Sequence, residues 1–203
     1  MRKSRDGADT RQRVLESAQE LFASRGFKGT SLSDITDRCG ISDGLILHHF
    51  KSKHNLYRQV QDRLAKQYSQ LLEDARDMSS TPEQAIQETL LAAFNFWKQD
   101  SSYERISLWA YLEGQNEFVE KETALTAGLA RGIKQMQDKG LIDNHYSPLV
   151  LLTMVIGPIH FWIRYRELFR EALGLSITVD ELDQQFLDQI IKLVKDIFTR
   201  KDL

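Results

Sequence analysis

Apolar residues return along this chain every three to four positions, the period of an α-helix with one face against a core. Val14, Leu15, Ala18, Leu21 and Phe22 make the first stripe, on a helix that starts near Asp9 or Thr10 and that Gly26 can close. Ser31-x-x-Asp34 has the form of a capping box and opens a short second helix that closes at Gly40. Ser42 opens a third, ending near Phe50. Leu56, Val60, Leu64, Leu71 and Leu72 carry a long fourth helix from Ser52 to Ser79-Ser80. Thr81-Pro82 with Gln84 caps a fifth, Ser101-x-x-Glu104 starts a sixth, and a seventh runs from about Glu117 to Lys139, stopped by Gly140. Ser147-Pro148 begins an eighth that Gly174 ends, and Thr178-x-x-Glu181 begins a ninth. No run of alternating polar and apolar residues marks a strand, so the predicted class is all-α.

Composition agrees: 41% hydrophobic, 28% charged and three prolines describe an ordinary globular chain. The single cysteine, Cys39, can form no internal disulfide, and a reducing cytoplasm is the expected compartment. After Met1-Arg2-Lys3 the pattern becomes amphipathic, without the apolar core of a signal peptide. The most apolar run, Leu149 to Ile163, falls short of the ~20 residues of a membrane span and is expected to be a buried helix. The net charge of −2 hides an asymmetry: residues 1–60 hold 11 Lys/Arg against 7 Asp/Glu, and the excess of acid lies in the remainder. A locally basic N-terminal part is the pattern of a nucleic-acid surface on an otherwise acidic chain.

Two short helices joined by a tight glycine turn define a helix-turn-helix, and Ser31 to Cys39, Gly40-Ile41, then Ser42 to Phe50 have that layout. The second helix of such a unit enters the major groove, which directs Asp43, Gly44, Leu45 and His48 to the DNA. Ile35, Ile46 and Phe50 would join Leu21 and Phe22 in the core behind it. Thr30 and Ser31 at the start of the second helix, and Lys53 at the start of the fourth, are placed to hold phosphates, although Ser31 and Ser42 also serve as plain helix caps.

Gly26-Phe27-x-x-Thr30-Ser31-Leu32-x-Asp34-Ile35, Gly40-Ile41-Ser42-x-Gly44 and His49-Phe50-Lys51-Ser52-Lys53 together resemble the N-terminal signature of the TetR/AcrR (tetracycline-repressor) family over about the first 55 residues. The resemblance implies a homodimeric regulator, usually a repressor, that leaves a palindromic double-stranded operator when its C-terminal domain binds a small-molecule effector. It assigns DNA contacts to Thr30, Ser31, Asp43, Gly44, Leu45, His48, His49 and Lys53. The chain departs from the pattern at Leu47, where the family commonly has Tyr, at Leu45, where it often has Thr, and at Asp43, an acid. Leu47 cannot donate to a phosphate, whereas Asp43 can accept from cytosine N4.

The expected division is therefore a three-helix DNA-binding domain at residues 1–51 and a helical ligand-binding and dimerisation domain at 52–203, with the fourth helix joining them. In the ninth helix Leu182, Phe186, Leu187, Ile190, Ile191, Leu193, Val194, Ile197 and Phe198 cover about half the circumference, enough for a wide internal core or for a dimer contact through the last two helices. An apolar pocket needs aromatic walls and a few polar groups, and Trp97, Trp109, Glu113, Thr153, His160 and Trp162 are the candidates, though most such residues are simply core. Pro158 is expected to weaken or bend the eighth helix. Enzyme, metal and cofactor readings find no nucleophile elbow, phosphate-cradling glycine loop or zinc spacing to rest on, and no membrane association is expected.

Overall fold

The computed structural model describes residues 2–79 and 81–199, with side chains throughout except at 2–6, 82, 116–122 and 197–199. The described residues form nine α-helices and no strand: α1 (Arg2–Arg25), α2 (Leu32–Cys39), α3 (Asp43–Phe50), α4 (Lys53–Asp77), α5 (Pro82–Gln99), α6 (Ser102–Glu113), α7 (Asn116–Asp138), α8 (Pro148–Ala172) and α9 (Val179–Thr199). Most predicted caps are real. Ser31 and Asp34 form a complete capping box, and Thr178 with Glu181 form another. Ser42 and Ser101 occupy N-cap positions without a side-chain cap bond, and at α6 Asp100 takes over by accepting from the Ser102 N–H at 2.8 Å.

The chain divides by packing into two compact units, Met1–Tyr68 with Asp100–Thr123, and Ser69–Gln99 with Ala124–Leu203. The boundary expected between residues 51 and 52 is not where packing divides the chain, because the first half of α4 and the whole of α6 belong with the first three helices. In the first unit Val14, Ala18 and Phe22 of α1, Ile35 of α2, Ile46 and Phe50 of α3, Leu56 and Val60 of α4, and Ile106 and Ala110 of α6 are all fully buried. Each large one among these contributes on the order of 1.5–3 kcal/mol through removal from water.

The second unit has its own core, in which Leu90, Phe94 and Trp97 of α5, Leu151 and Ile159 of α8, and Leu182, Leu187, Ile190 and Val194 of α9 are buried. Ile197 and Phe198 lie outside the described side chains. Helix α8 runs through Pro158 as one element. It is long and apolar enough by composition to cross a membrane, yet it is not the buried helix expected: Val150, Met154, Phe161, Tyr165 and Leu168 are exposed. At 100° per residue these five fall within about 60° of the circumference, a single stripe that its own chain leaves uncovered.

Candidate nucleic-acid interface

The α2–turn–α3 unit is built from local bonds upward. Ser31 Oγ accepts from the Asp34 N–H at 3.0 Å, and Asp34 Oδ2 accepts from the Ser31 N–H at 2.7 Å. The Ser31 bonds, with Arg25 nearby at 3.3 Å, hold the Asp34 carboxyl below the usual carboxylate range. At the other end Gly40 takes the left-handed conformation (φ 68°), which only glycine adopts without strain, and its N–H closes α2 onto the Thr36 carbonyl at 2.8 Å. The Arg13 guanidinium ties α1 to the Cys39 carbonyl at 2.8 Å.

Helix α3 is held from behind by Ile46 and Phe50, both fully buried. These two side chains project on one side, so the opposite side, centred on His48 with Gly44 and Leu45 flanking it, is the outward face. Asp43, Gly44, Leu45, Leu47 and His48 are all exposed and His49 is half-buried. Of the sequence-predicted base-reading residues, Gly44, Leu45 and His48 thus share one open face, whereas Asp43, in the first turn, is exposed but lies nearer the side of Ile46 and Phe50, toward Thr36 of α2. Asp43 Oδ1 lies 3.2 Å from the Thr36 hydroxyl of α2, and no atom approaches where a Gly44 side chain would stand.

Thr30 requires a correction. Its hydroxyl is turned inward, is 1% exposed and donates to the Gly26 carbonyl at 2.8 Å, so it cannot face a phosphate. Ser31 remains exposed at the mouth of α2. Lys53 is half-buried: its ammonium donates to the Phe27 and Thr30 carbonyls at 2.9 and 2.7 Å and stands 4.1 Å from the centre of the Phe27 ring. An ammonium has three donors, so these two bonds leave capacity for a phosphate oxygen. Lys51, part of the sequence motif but not assigned a contact, is exposed at the end of α3 with a positive φ of 69°. The α3–α4 junction is stitched by Asn55, to which sequence alone assigns no role and whose amide donates to the Phe50 carbonyl at 2.8 Å.

The six predicted ligand residues are divided between the two units. Trp97, Thr153, His160 and Trp162 lie in the second unit, whereas Trp109 and Glu113 belong to the first. Glu113 accepts the backbone N–H groups of Phe27 and Lys28 at 3.1 and 3.0 Å, and Trp109 packs where a side chain on Gly26 would stand; both serve the α1–α2 turn. Thr153 is exposed and donates to the Leu149 carbonyl one turn back. Trp97 and His160 do meet, with ring centroids 4.4 Å apart. Trp162 stacks on Phe186 and donates its indole N–H to Asp183 at 2.8 Å. No group of three or more metal-ligating side chains occurs among the described residues.

Comparison with known proteins adds to this geometry. Residues 14–60 match the family model described as bacterial regulatory proteins, tetR family. The chain is 23% identical to the HTH-type transcriptional regulator TtgR of Pseudomonas putida over 176 residues, 80% of this chain and 84% of that one. It is 35% identical to the HTH-type transcriptional repressor KstR2 of Mycolicibacterium smegmatis over 91 residues, 43% of this chain and 42% of that one. Among solved structures, the ketosteroid transcriptional regulator KstR2 of Mycobacterium tuberculosis superposes with a TM-score of 0.68 at 19% identity, covering 94% of this chain and 95% of that one. The TetR-family regulator PfmR of Thermus thermophilus gives 0.67 at 19% identity, over 89% and 94%. At that identity the structural likeness establishes the fold.

Proposed function

Given that this chain belongs to the TetR/AcrR family of transcriptional regulators, we propose that it is a repressor that binds a palindromic operator as a homodimer and leaves it when a small apolar or amphipathic effector binds. The observation that carries this reading is the outward face of α3, where Gly44, Leu45 and His48 stand exposed on a helix locked from behind by Ile46 and Phe50, with Asp43 exposed at the helix start. Asp43 accepts from a cytosine N4 in the major groove, Gly44 permits close backbone approach, and His48 reaches a base edge. Ser31, His49 and Lys53 engage phosphates on either side.

Two such heads must stand ~34–36 Å apart to enter successive major grooves, and that requires a dimer. The uncovered stripe of Val150, Met154, Phe161, Tyr165 and Leu168 on α8, with the exposed Leu193 on α9, supports a contact between copies through the last two helices. The effector's place is in the second unit beside Trp97, His160 and Trp162, where aromatic walls suit an apolar body. Release results if the effector binds better to a head spacing that no longer fits the operator.

A gel-shift titration against the DNA upstream of its own coding region tests the reading. Specific, salt-sensitive binding is expected. Weak binding indifferent to sequence would favour instead a ligand-binding or adaptor protein, a reading motivated by Asp43, Leu45 and Leu47, all exposed on α3.

A further inference from the structure

The four-residue turn Gly26-Phe27-Lys28-Gly29 that leads into α2 is gripped by a residue 85 positions away from Lys28. Glu113, the last residue of α6, accepts from the Phe27 N–H with Oε2 at 3.1 Å and from the Lys28 N–H with Oε1 at 3.0 Å, so both carboxylate oxygens hold consecutive amides. The Lys28 ammonium reaches back to the Glu113 carbonyl at 3.5 Å. Gly26 makes room for this: its φ is +72°, and a Cβ there would stand 2.5 Å from Glu113 Oε1 and 2.9 Å from the Trp109 ring. Two further bonds tie α6 and the residues before it to α1: Arg105 donates to the Ala23 carbonyl at 2.8 Å, and Gln19 donates to Asp100 at 2.9 Å. The turn's carbonyl side is held from α4 by Lys53, through Phe27 and Thr30.

The same turn thus receives an anion from α6 on its N–H groups and a cation from α4 on its carbonyls. It runs directly into Ser31 and the N-terminus of α2, while Lys53 holds it from the other side. Ser31 and Lys53 are both phosphate-facing groups in the proposed operator complex. The chain, moreover, leaves the second unit at Gln99, contributes α6 to the first, and re-enters the second at Ala124.

We propose that Glu113 is a positioning residue for operator binding: without touching DNA, its carboxylate sets the α1–α2 turn so that Ser31 and Lys53 meet their phosphates together. The proposal rests on the DNA-binding function. Bonds from backbone amides to a charged acceptor are among the stronger ones in proteins, so removing two of them is expected to weaken operator binding about tenfold.

The test uses the full chain and a fluorescent duplex that the wild-type chain selects from a randomised pool. Glu113→Ala should lower affinity about tenfold while the helical circular dichroism is retained, and the Phe27 and Lys28 amides should exchange faster with solvent. Glu113→Gln, which keeps one carbonyl acceptor at the same length, should fall between, and it carries the test if the alanine variant does not fold. Combined with Ser31→Ala, the loss should be smaller than the product of the two single losses, because part of the Glu113 effect runs through the Ser31 contact; a general loss of stability would multiply. Wild-type affinity in Glu113→Gln and a folded Glu113→Ala, or a strictly multiplicative double variant, overturns the proposal. If the wild-type chain selects no duplex, the operator reading itself fails, and this one with it.

Discussion

The indole ring of Trp162 lies 4.4 Å from the ring of Phe186 and only 6° from parallel to it. This stack joins α8 to α9, and its polar edge ends on a buried charge. Asp183, 2% exposed, accepts from the Trp162 indole at 2.8 Å and from Arg166 at 2.5 Å, and pairs with Lys98 of α5 at 3.0 Å. Three helices of the second unit therefore meet on one carboxylate.

Replacing that carboxylate strands Arg166 in a partly dry setting and leaves Lys98 to Asp180, its partner at 2.7 Å. Asp183→Ala is expected to destabilise the protein by about 3–5 kcal/mol, the usual cost of removing one partner from a buried ion pair. Asp183→Asn, which still accepts from Trp162, should cost less. Urea denaturation followed by tryptophan fluorescence measures both; equal stability of wild type and the alanine variant would show that the cluster does not hold the helices together.

The uncovered stripe on α8 makes a separate claim about assembly. A charge introduced into it, at the middle with Phe161→Glu or at the end with Leu168→Glu, should shift the chain from dimer to monomer in sedimentation equilibrium while the first unit keeps its helical signal, since both side chains are exposed within one chain. A variant that remains fully dimeric would place the dimer contact elsewhere.

Lys53 and His48 should differ in kind. Lys53→Gln is expected to weaken binding evenly across sequences and to lower the slope of log affinity against log salt by about 0.9, the contribution of one phosphate contact. His48→Ala should leave that slope nearly unchanged and relax preference at one base pair, with about 1–3 kcal/mol of discrimination lost. Salt-dependent fluorescence anisotropy and repeated duplex selection separate the two outcomes.

Tyr57, 2% exposed, stands between Phe22 and Phe27, with ring centroids 4.8 and 5.1 Å away. Burial, and secondarily the negative Glu113, push its hydroxyl up from 10.0 to about 12. A folded-state value above the unfolded one means that the folded protein keeps the proton longer. The stability linked to it is therefore intact below pH 10 and is lost as pH rises toward 12. Tyr57→Phe removes this dependence, so the stability difference between wild type and variant should change across that window and be flat between about pH 7 and 9. A flat difference up to pH 12 would contradict the raised value.

Much of the local architecture was readable from residue order. The Ser31–Asp34 box, the Gly40 stop, and Ile46 with Phe50 on the hidden side of α3 depend on contacts within a few positions, which the period of the helix and the chemistry of its ends dictate. The outward placement of Gly44, Leu45 and His48 comes from the same arithmetic, while Asp43 is exposed at the first position of the helix.

Thr30 and Glu113 show where that arithmetic stops. Thr30 is a hydroxyl beside a helix start, as a phosphate ligand would be, but the turn from Gly26 folds its side chain inward onto a carbonyl. Glu113 is an acid that follows the apolar stretch Leu108 to Leu112, which fits a ligand contact or a buried bond equally well until α6 is laid against α1. The exposed stripe of α8 is likewise invisible in a sequence where every helix face looks fit for a core. Sequence by itself determined the helices, their ends and the reading face, because these are set by neighbours three and four residues apart. Only the tertiary structure decided which polar groups face outward and which face remains uncovered, because those depend on partners tens of residues away whose approach no local period encodes.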